Sequence, residues 1–483
     1  MTPQARTRDI GFACALLLGV LADLLIRVDG RPGVNVALWA FAGIGVLWLL
    51  ARRGNHPVSR ETQWLVGGAF AFSLMLMLRD AEALAVFSLF CAIVLLGLAA
   101  GRAAKAWAKN ANIVEVAAAA VRIGVLILLG PLGWSIGAAR QPMPTSAIRM
   151  VMRGAVMALP VLLVLTLLLA SADPVFEHVL LSSKTLLEHL LFAGVTAWFT
   201  SGYLRAFLVS DEAVLDRVQL PRPAVAPSEI AVALSLVSIL FIVFQIVQVR
   251  YLFGGAGLVE VTPGLSYAEY ARSGFFELVV ATAFVVPVLL VADWAAAEDA
   301  SRARRALRAT STLLVLLLVG VLASAAYRMR LYQEAYGLTE DRLYGSMIMV
   351  WLTLVLGWLA FTVLRGQRRG FMFGAIVAGL VCVVGMHVLN PHALIARVNI
   401  SRAIAGAEYD GRYLGTLSAD AVPTLVARMS ALPQAEQCRV VTLIQQRWSG
   451  EREGGWRTWN LSDARARKLV GSLPRVECPT LLP

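Results

Sequence analysis

Apolar runs of about 20 residues recur along the whole of this chain, and a run of that length is what an α-helix needs to cross a hydrocarbon layer of about 30 Å. They stand near 10–26, 34–50, 64–78, 81–100, 112–133, 150–170, 186–208, 229–250, 274–297, 308–326, 343–363 and 370–389. Hydrophobic residues make up 58% of the 483 positions and charged residues 15%, where soluble domains carry roughly a quarter charged. No soluble fold of this length needs so much apolar surface. The predicted fold class is therefore all-α: a polytopic transmembrane helix bundle of about 11 to 12 spans over residues 1–390, with a small helical soluble domain over 391–483. The first run follows Arg6 and Arg8 and continues to Ile26 without a small-residue cleavage site, which makes it an uncleaved first span.

A formal charge of +12 would suit nucleic acid if the basic residues shared one soluble face, but they sit in short loops between the apolar runs. The positive-inside rule accounts for them. Arg52, Arg53 and Arg60, then Arg102, Lys105 and Lys109, then "SRARRALR" (301–308) and "RGQRR" (365–369) mark the cytoplasmic side. Counted from the last two clusters, 251–273, 327–342 and everything after 390 face outward. A count from a cytoplasmic N-terminus disagrees by one crossing. The expected repair is that 112–133, which carries Glu115 and Arg122 on one helical face and ends in "GPLG", does not fully span.

Beyond Asn390 and Pro391 no further spanning run occurs. "LSADAVPTLVARMSAL" (417–432), with Ser418 as N-cap, "AEQCRVVTLIQQRW" (435–448) and "LSDARARKLV" (461–470) read as short helices. Cys14, Cys91 and Cys382 lie in apolar segments and read as small core residues. Cys438 and Cys478 stand together in the tail: a disulfide if the tail is periplasmic, two free thiols if it is cytoplasmic.

The candidate chemistry gathers on the side predicted to face outward. "YAEYARSGFFEL" (267–278) offers Tyr267, Glu269, Tyr270, Arg272 and Glu277. "YRMRLYQEAYGLTEDRLYG" (327–345) offers Arg328, Arg330, Tyr332, Tyr336 and Arg342, and "HVLNPHALIARVNISR" (387–402) offers Asn390 and Arg397. On a helix Arg328, Tyr332 and Tyr336 share a stripe, and Arg330 can reach Glu334. Gly337 reads as a helix stop and Thr339 with Glu340 and Asp341 as the next start. An aromatic belt with snorkelling arginines explains much of this without a ligand, but it explains Glu277 poorly, since a carboxylate a few residues into a span is costly unless it is paired or wet. Two readings stay open, a ligand site and a structural ion-pair cluster.

Other motifs carry less. "GWSIG" (133–137) matches the serine-hydrolase elbow in letters but continues an apolar helical run. His178 and His189 repeat an "EH" pair too far apart on a helix to share a metal, and His387 and His392 flank Asn390 and Pro391. No phosphate loop, dinucleotide fingerprint or spaced cysteine pair is present, so no metal, no cofactor and no nucleic acid is expected. Gly370, Gly374, Ala378 and Cys382 form a small-residue packing face.

"ASADPVFEHV" (170–179), "YLFGG", "YAEYARSGFFEL", "RMRLYQEAYGLTEDRLY", "NPHALIARVNISR" and "YDGRYLGTLSADAVPTL" together resemble the bacterial polytopic membrane proteins grouped as domain of unknown function 4173, related to group 4153. The resemblance implies a bacterial inner-membrane protein and supplies neither an activity nor a catalytic residue. The expected partners are the bilayer and an anionic, sugar-bearing or lipid-linked component of the envelope. Binding or transport of that component leads, with a membrane-embedded transferase using Glu269 or Glu277 as base, or a structural partner, as alternatives.

Overall fold

The computed structural model describes residues 3–27, 31–56, 58–103, 113–139, 184–208, 225–253, 275–297, 302–366, 370–407, 411–450 and 455–473, with single positions between 154 and 173. Among the described residues the chain is helical throughout, without strands, apart from an isolated parallel bridge between Val225 and Ala296. Nine of the described helices are long and apolar enough to cross a membrane. The chain is a polytopic helical membrane protein, as its composition requires.

Packing divides it into two compact units. The first takes residues 1–108, 117–219 and 451–464; the second takes 109–116, 220–450 and 465–483. This division differs from the change of composition at residue 390, which concerns environment rather than packing.

The first unit holds α1 (Pro3–Ala22), which continues as a π-helical turn over Asp23–Arg27, then α2 (Val34–Arg53), α3 (Arg60–Met75), α4 (Glu82–Ala103), most of α5 (Ile113–Ala139) and α6 (Lys184–Leu208). Ser59 caps α3, its hydroxyl accepting from the Thr62 N–H at 3.2 Å. Ala15, Leu47, Leu50, Val66, Ala99, Leu204 and Phe207 form the core. Indole and phenol groups close it by donating to helix carbonyls: Trp39 to Leu18 and Trp198 to Leu128, both at 2.9 Å, and Tyr203 to Leu96 at 3.1 Å. A piece of the tail is stitched onto this unit. Val34 N–H donates to the Trp459 carbonyl at 3.1 Å and Asn35 N–H to that of Arg457 at 2.9 Å, while the Asn460 amide donates to the Leu76 and Arg79 carbonyls, each at 2.8 Å. Turns that would otherwise end in unpaired backbone are satisfied by a segment almost four hundred residues away.

Helix α5 holds most of 112–133, the stretch expected from its charges not to span fully. Its stretch Val114–Pro131 has the length and apolarity of a span, and neither Glu115 nor Arg122 lacks a partner. Charge alone is no reason to exclude it, because a paired ionisable group is tolerated where an isolated one is not.

The second unit holds α7 (Pro227–Phe253), α8 (Phe275–Ala295), α9 (Arg302–Tyr336), α10 (Glu340–Thr362), α11 (Phe371–Leu389), α12 (Pro391–Ile404), α13 (Gly411–Thr416), α14 (Val422–Arg428), α15 (Gln434–Trp448) and the later part of α16 (Leu461–Gly471). One core, with Leu234, Leu289, Leu314, Leu318, Leu356 and Leu359, lies among the long helices. Another, with Ile395, Ile400, Leu414, Val422, Leu425 and Ile444, lies among the tail helices. Of the small-residue face of α11, Gly374 makes a close approach, since a Cβ there would stand 2.1 Å from the Trp358 indole nitrogen, whereas Gly370 has nothing within 4 Å of its Cβ position. The tail helices also form where expected, with Ser418 capping the turn at Ala419–Ala421.

Cys14, Cys91 and Cys382 are free thiols. Cys438 is buried on α15 and disulfide-bonded; its expected partner, Cys478, lies outside the described residues, and their pairing is a proposal. Non-reducing peptide mapping is expected to yield a linked Cys438–Cys478 peptide. Cys438→Ser should lower stability by about 3–4 kcal/mol in the chain-entropy account of a cross-link over that spacing.

Candidate functional site

The polar end of the second unit is built around the C-terminus of α9, a helix of 35 residues and therefore about 50 Å long, longer than a hydrocarbon core is thick. A helix ends with carbonyls that have no partner inside it. Here two arginines supply them. Arg402, on α12, donates to the Glu334 carbonyl and, at 3.0 Å, to that of Ala335. Arg342, in the first turn and a half of α10, donates to the carbonyls of Tyr336 at 3.0 Å and Gly337 at 2.6 Å. Both charges also oppose the negative end of the helix dipole.

The turn between α9 and α10 runs as the sequence predicts. Gly337 stops α9 at φ +76° and Thr339 stands at the N-cap of α10. The glycine is needed twice over, because a Cβ there would also stand 2.6 Å from Asn399 Oδ1. Asn399 uses that approach to hold both backbone groups of Leu338, accepting from its N–H and donating to its carbonyl, each at 2.8 Å.

Asn390 enters α12 with φ +52°, a conformation asparagine tolerates, and its side chain accepts from the Ala393 N–H at 3.3 Å. Two residues later His392 is buried. Its Nδ1 accepts from the Ser418 N–H at 2.8 Å, which places the ring proton on Nε2, and Nε2 lies 3.3 Å from Glu340 Oε1. Ser418 donates to Asp420 Oδ2 at 3.2 Å. The Glu340 N–H donates to the Tyr413 hydroxyl at 3.0 Å, and burial pushes the Tyr413 phenol up to about 12. One imidazole thus ties the heads of α10 and α12 to the turn ahead of α14.

The predicted site residues divide accordingly. Tyr267, Glu269, Tyr270 and Arg272 lie outside the described residues. Glu277 is exposed in the first turn of α8. Arg328 is buried and donates to Gln248 Oε1 of α7, with Ser324 also donating to that oxygen at 3.3 Å. Arg330 donates to Glu334 at 2.8 Å in an exposed pair, as the spacing predicts. Tyr332 and Tyr336 meet edge to face with centroids 5.4 Å apart, and the Arg342 guanidinium lies 3.9 Å from the Tyr332 ring centroid and 5.9 Å from that of Tyr336. Arg397 is exposed. Sequence reasoning missed Gln248, Asn399, Arg402 and Tyr413, and assigned no bond to Glu340 or His392. The three-residue spacing of Asn399 and Arg402 on one helix, and two aromatics with a buried histidine near "NP", were the available signals.

Residues 66–427 match the family described as Domain of unknown function (DUF4153). The chain belongs to this family. The match covers most of the chain and takes in the whole polar end of unit two from α9 to α13. It supports the related 4153 group, and the 4173 group named by resemblance is not what it shows. No curated protein and no solved structure matches the DUF4153 chain.

Proposed function

We propose that this DUF4153 protein is a non-enzymatic binding protein of a bacterial inner membrane, which holds an anionic or sugar-bearing component of the envelope at the polar end of its second unit. The N-terminus is cytoplasmic and the tail periplasmic in this reading, since the basic clusters at 301–308 and 365–369 stand at the ends of α9 and α10 away from that polar end. The observation that carries it is the arrangement of Arg342, Tyr332 and Tyr336. Two carbonyls pin the guanidinium against an aromatic pair, and Tyr336 stays 51% exposed. A cation and ring already fixed in place lose little freedom on receiving a head group or a sugar ring. Transport of the same component is a further use of the site. The transferase alternative rests on Glu269, which lies outside the described residues, or on Glu277, which is exposed at the head of α8.

A second reading is favoured by the partners of Arg328, Arg330, Arg342 and Asn390, all of which bond within the chain. In it the polar end is a clasp that fixes the tail helices, and the protein is an assembly partner. Native mass spectrometry of the full chain purified in mild detergent separates the two. Binding predicts co-purifying phospholipid or glycolipid adducts that Tyr336→Ala and Arg397→Ala each reduce several-fold without loss of folded protein. Equal adducts in wild type and both variants would leave the clasp as the better account.

A further inference from the structure

The first unit places four ionisable side chains together in the outer turns of two packed helices. Asp23 and Arg27 come from the π-helical turn that ends the candidate span Ile10–Arg27, and Glu188 and His189 from the start of α6. His189 Nδ1 lies 2.6 Å from Asp23 Oδ2, Arg27 Nε lies 3.0 Å from Asp23 Oδ1, and Arg27 Nη1 donates to Glu188 Oε2 at 2.9 Å. The aspartate side chain is only 10% exposed, the histidine 35%. Asp23 lies in the closing turns of a candidate span, and an ionisable side chain in a span is found where it faces partners or a route for ions or protons. A π-turn within an α-helix is itself uncommon and recurs at functional positions.

The helices that carry the cluster touch through their backbones. A Cβ on Gly19 would stand 2.3 Å from the Ala193 carbonyl oxygen, so the contact of α1 with α6 one turn from Asp23 cannot be loosened by side-chain adjustment alone. Among the described residues Arg31 follows the turn, and the packed helices add few other charges. Between Asp9 and Asp23 α1 has none, α2 has none before Arg52, and α4, which also packs on α6, has none between the exposed Glu82 and Arg102. On α6 the remaining charges are Lys184, four residues before Glu188, and Arg205 near the other end.

We propose that Asp23 and His189 form a proton-binding site in the membrane-embedded part of the first unit. The carboxylate accepts the Nδ1 proton of the neutral ring, which leaves Nε2 as a base with its lone pair free. One proton from water binds there, and no other bond is made or broken. Of the four groups in contact the imidazole is the one whose charge can change near neutral pH, and it lies against the Asp23 carboxylate. The site belongs to the first unit and does not depend on the reading of the second.

Nitrogen NMR of the full chain, labelled with [15N]histidine and [13C]aspartate and held in phosphatidylglycerol and phosphatidylethanolamine nanodiscs, tests this directly. A through-space contact between an imidazole Nδ1 and an aspartate carboxylate assigns His189 without any substitution. The expected result is an Nδ1 that stays protonated throughout, and an Nε2 that changes from unprotonated at about pH 8 to protonated at about pH 5. Asp23→Asn should abolish the Nδ1–H preference while the protein keeps its wild-type elution volume. An Nε2 in the same state at both pH values, or a ring with no aspartate contact, would make the cluster a fixed structural pair and overturn the proposal.

Discussion

Gly202→Ala should abolish the folded protein, while Gly43→Ala should leave it intact. A Cβ on Gly202 would fall 1.8 Å from the Ile127 carbonyl oxygen and 2.9 Å from Ile127 Cα, and the reciprocal Cβ on Gly130 would fall 2.6 Å from Gly202 Cα. The obstruction is backbone on both sides, so no rotamer change relieves it and α5 and α6 must separate. Separation also breaks the bond from Trp198 to the Leu128 carbonyl, whose indole is buried. Overpacking of this kind costs about 3 kcal/mol, and between apolar helices in lipid there is little hydrophobic gain to offset it. Gly43 has nothing within 4 Å of its Cβ position, and alanine there should be neutral or favourable by about 0.5–1 kcal/mol, the usual helical difference. Size-exclusion profiles of fluorescent fusions in detergent read the contrast. Equal monodisperse peaks for the two variants would mean that α5 and α6 do not make this approach.

The same contact shows why the fold was only partly legible from residues. Runs of apolar residues fix the existence and the rough ends of spans, because crossing lipid demands a length and a composition and little else. Gly337, Thr339 and Ser418 were legible as well, since helix ends use local chemistry. Gly130 and Gly202 were not singled out, because a glycine in an apolar run says nothing of its partner until two helices meet. Glu115 and Arg122 bear on the crossing count for a related reason: a charge in a span weighs against insertion only when it is isolated, and pairing is a property of the fold.

At the polar end the residue types were legible and their roles were not. Arg342 and Arg328 read equally as ligand-binding or structural groups, and each has a partner in the chain: helix-end carbonyls for one, Gln248 of α7 for the other. A helix C-terminus of this length attracts arginine as an anion does, through the same charge. A sequence that places arginines near tyrosines at a membrane surface therefore cannot separate capping from binding, and exposure decides between them. By that measure Tyr336 and Arg397, with Glu277, are among the described candidate residues that stay exposed to a ligand.

His392→Ala should detach the tail helices without unfolding the spans. The ring is buried and takes part on both sides, accepting the Ser418 N–H and lying against the Glu340 carboxylate. Removing it leaves a buried N–H with no acceptor, a carboxylate without its neighbouring ring N–H, and a cavity, which together cost about 2–4 kcal/mol. The loss falls on the junction of α10, α12 and the turn before α14, whereas the core of Leu314, Leu318 and Leu356 is elsewhere in the unit. Limited proteolysis should then cut between α12 and α15 at least tenfold faster, while the membrane-embedded fragment persists at wild-type abundance. Glu340→Gln keeps the shape and a hydrogen-bond partner for Nε2, so it should show less than half of that acceleration. If His392→Ala instead leaves the cleavage rate unchanged, the tail is held by its apolar core of Ile395, Ile400, Leu414 and Leu425 alone, and the imidazole is free for a role other than holding these elements together.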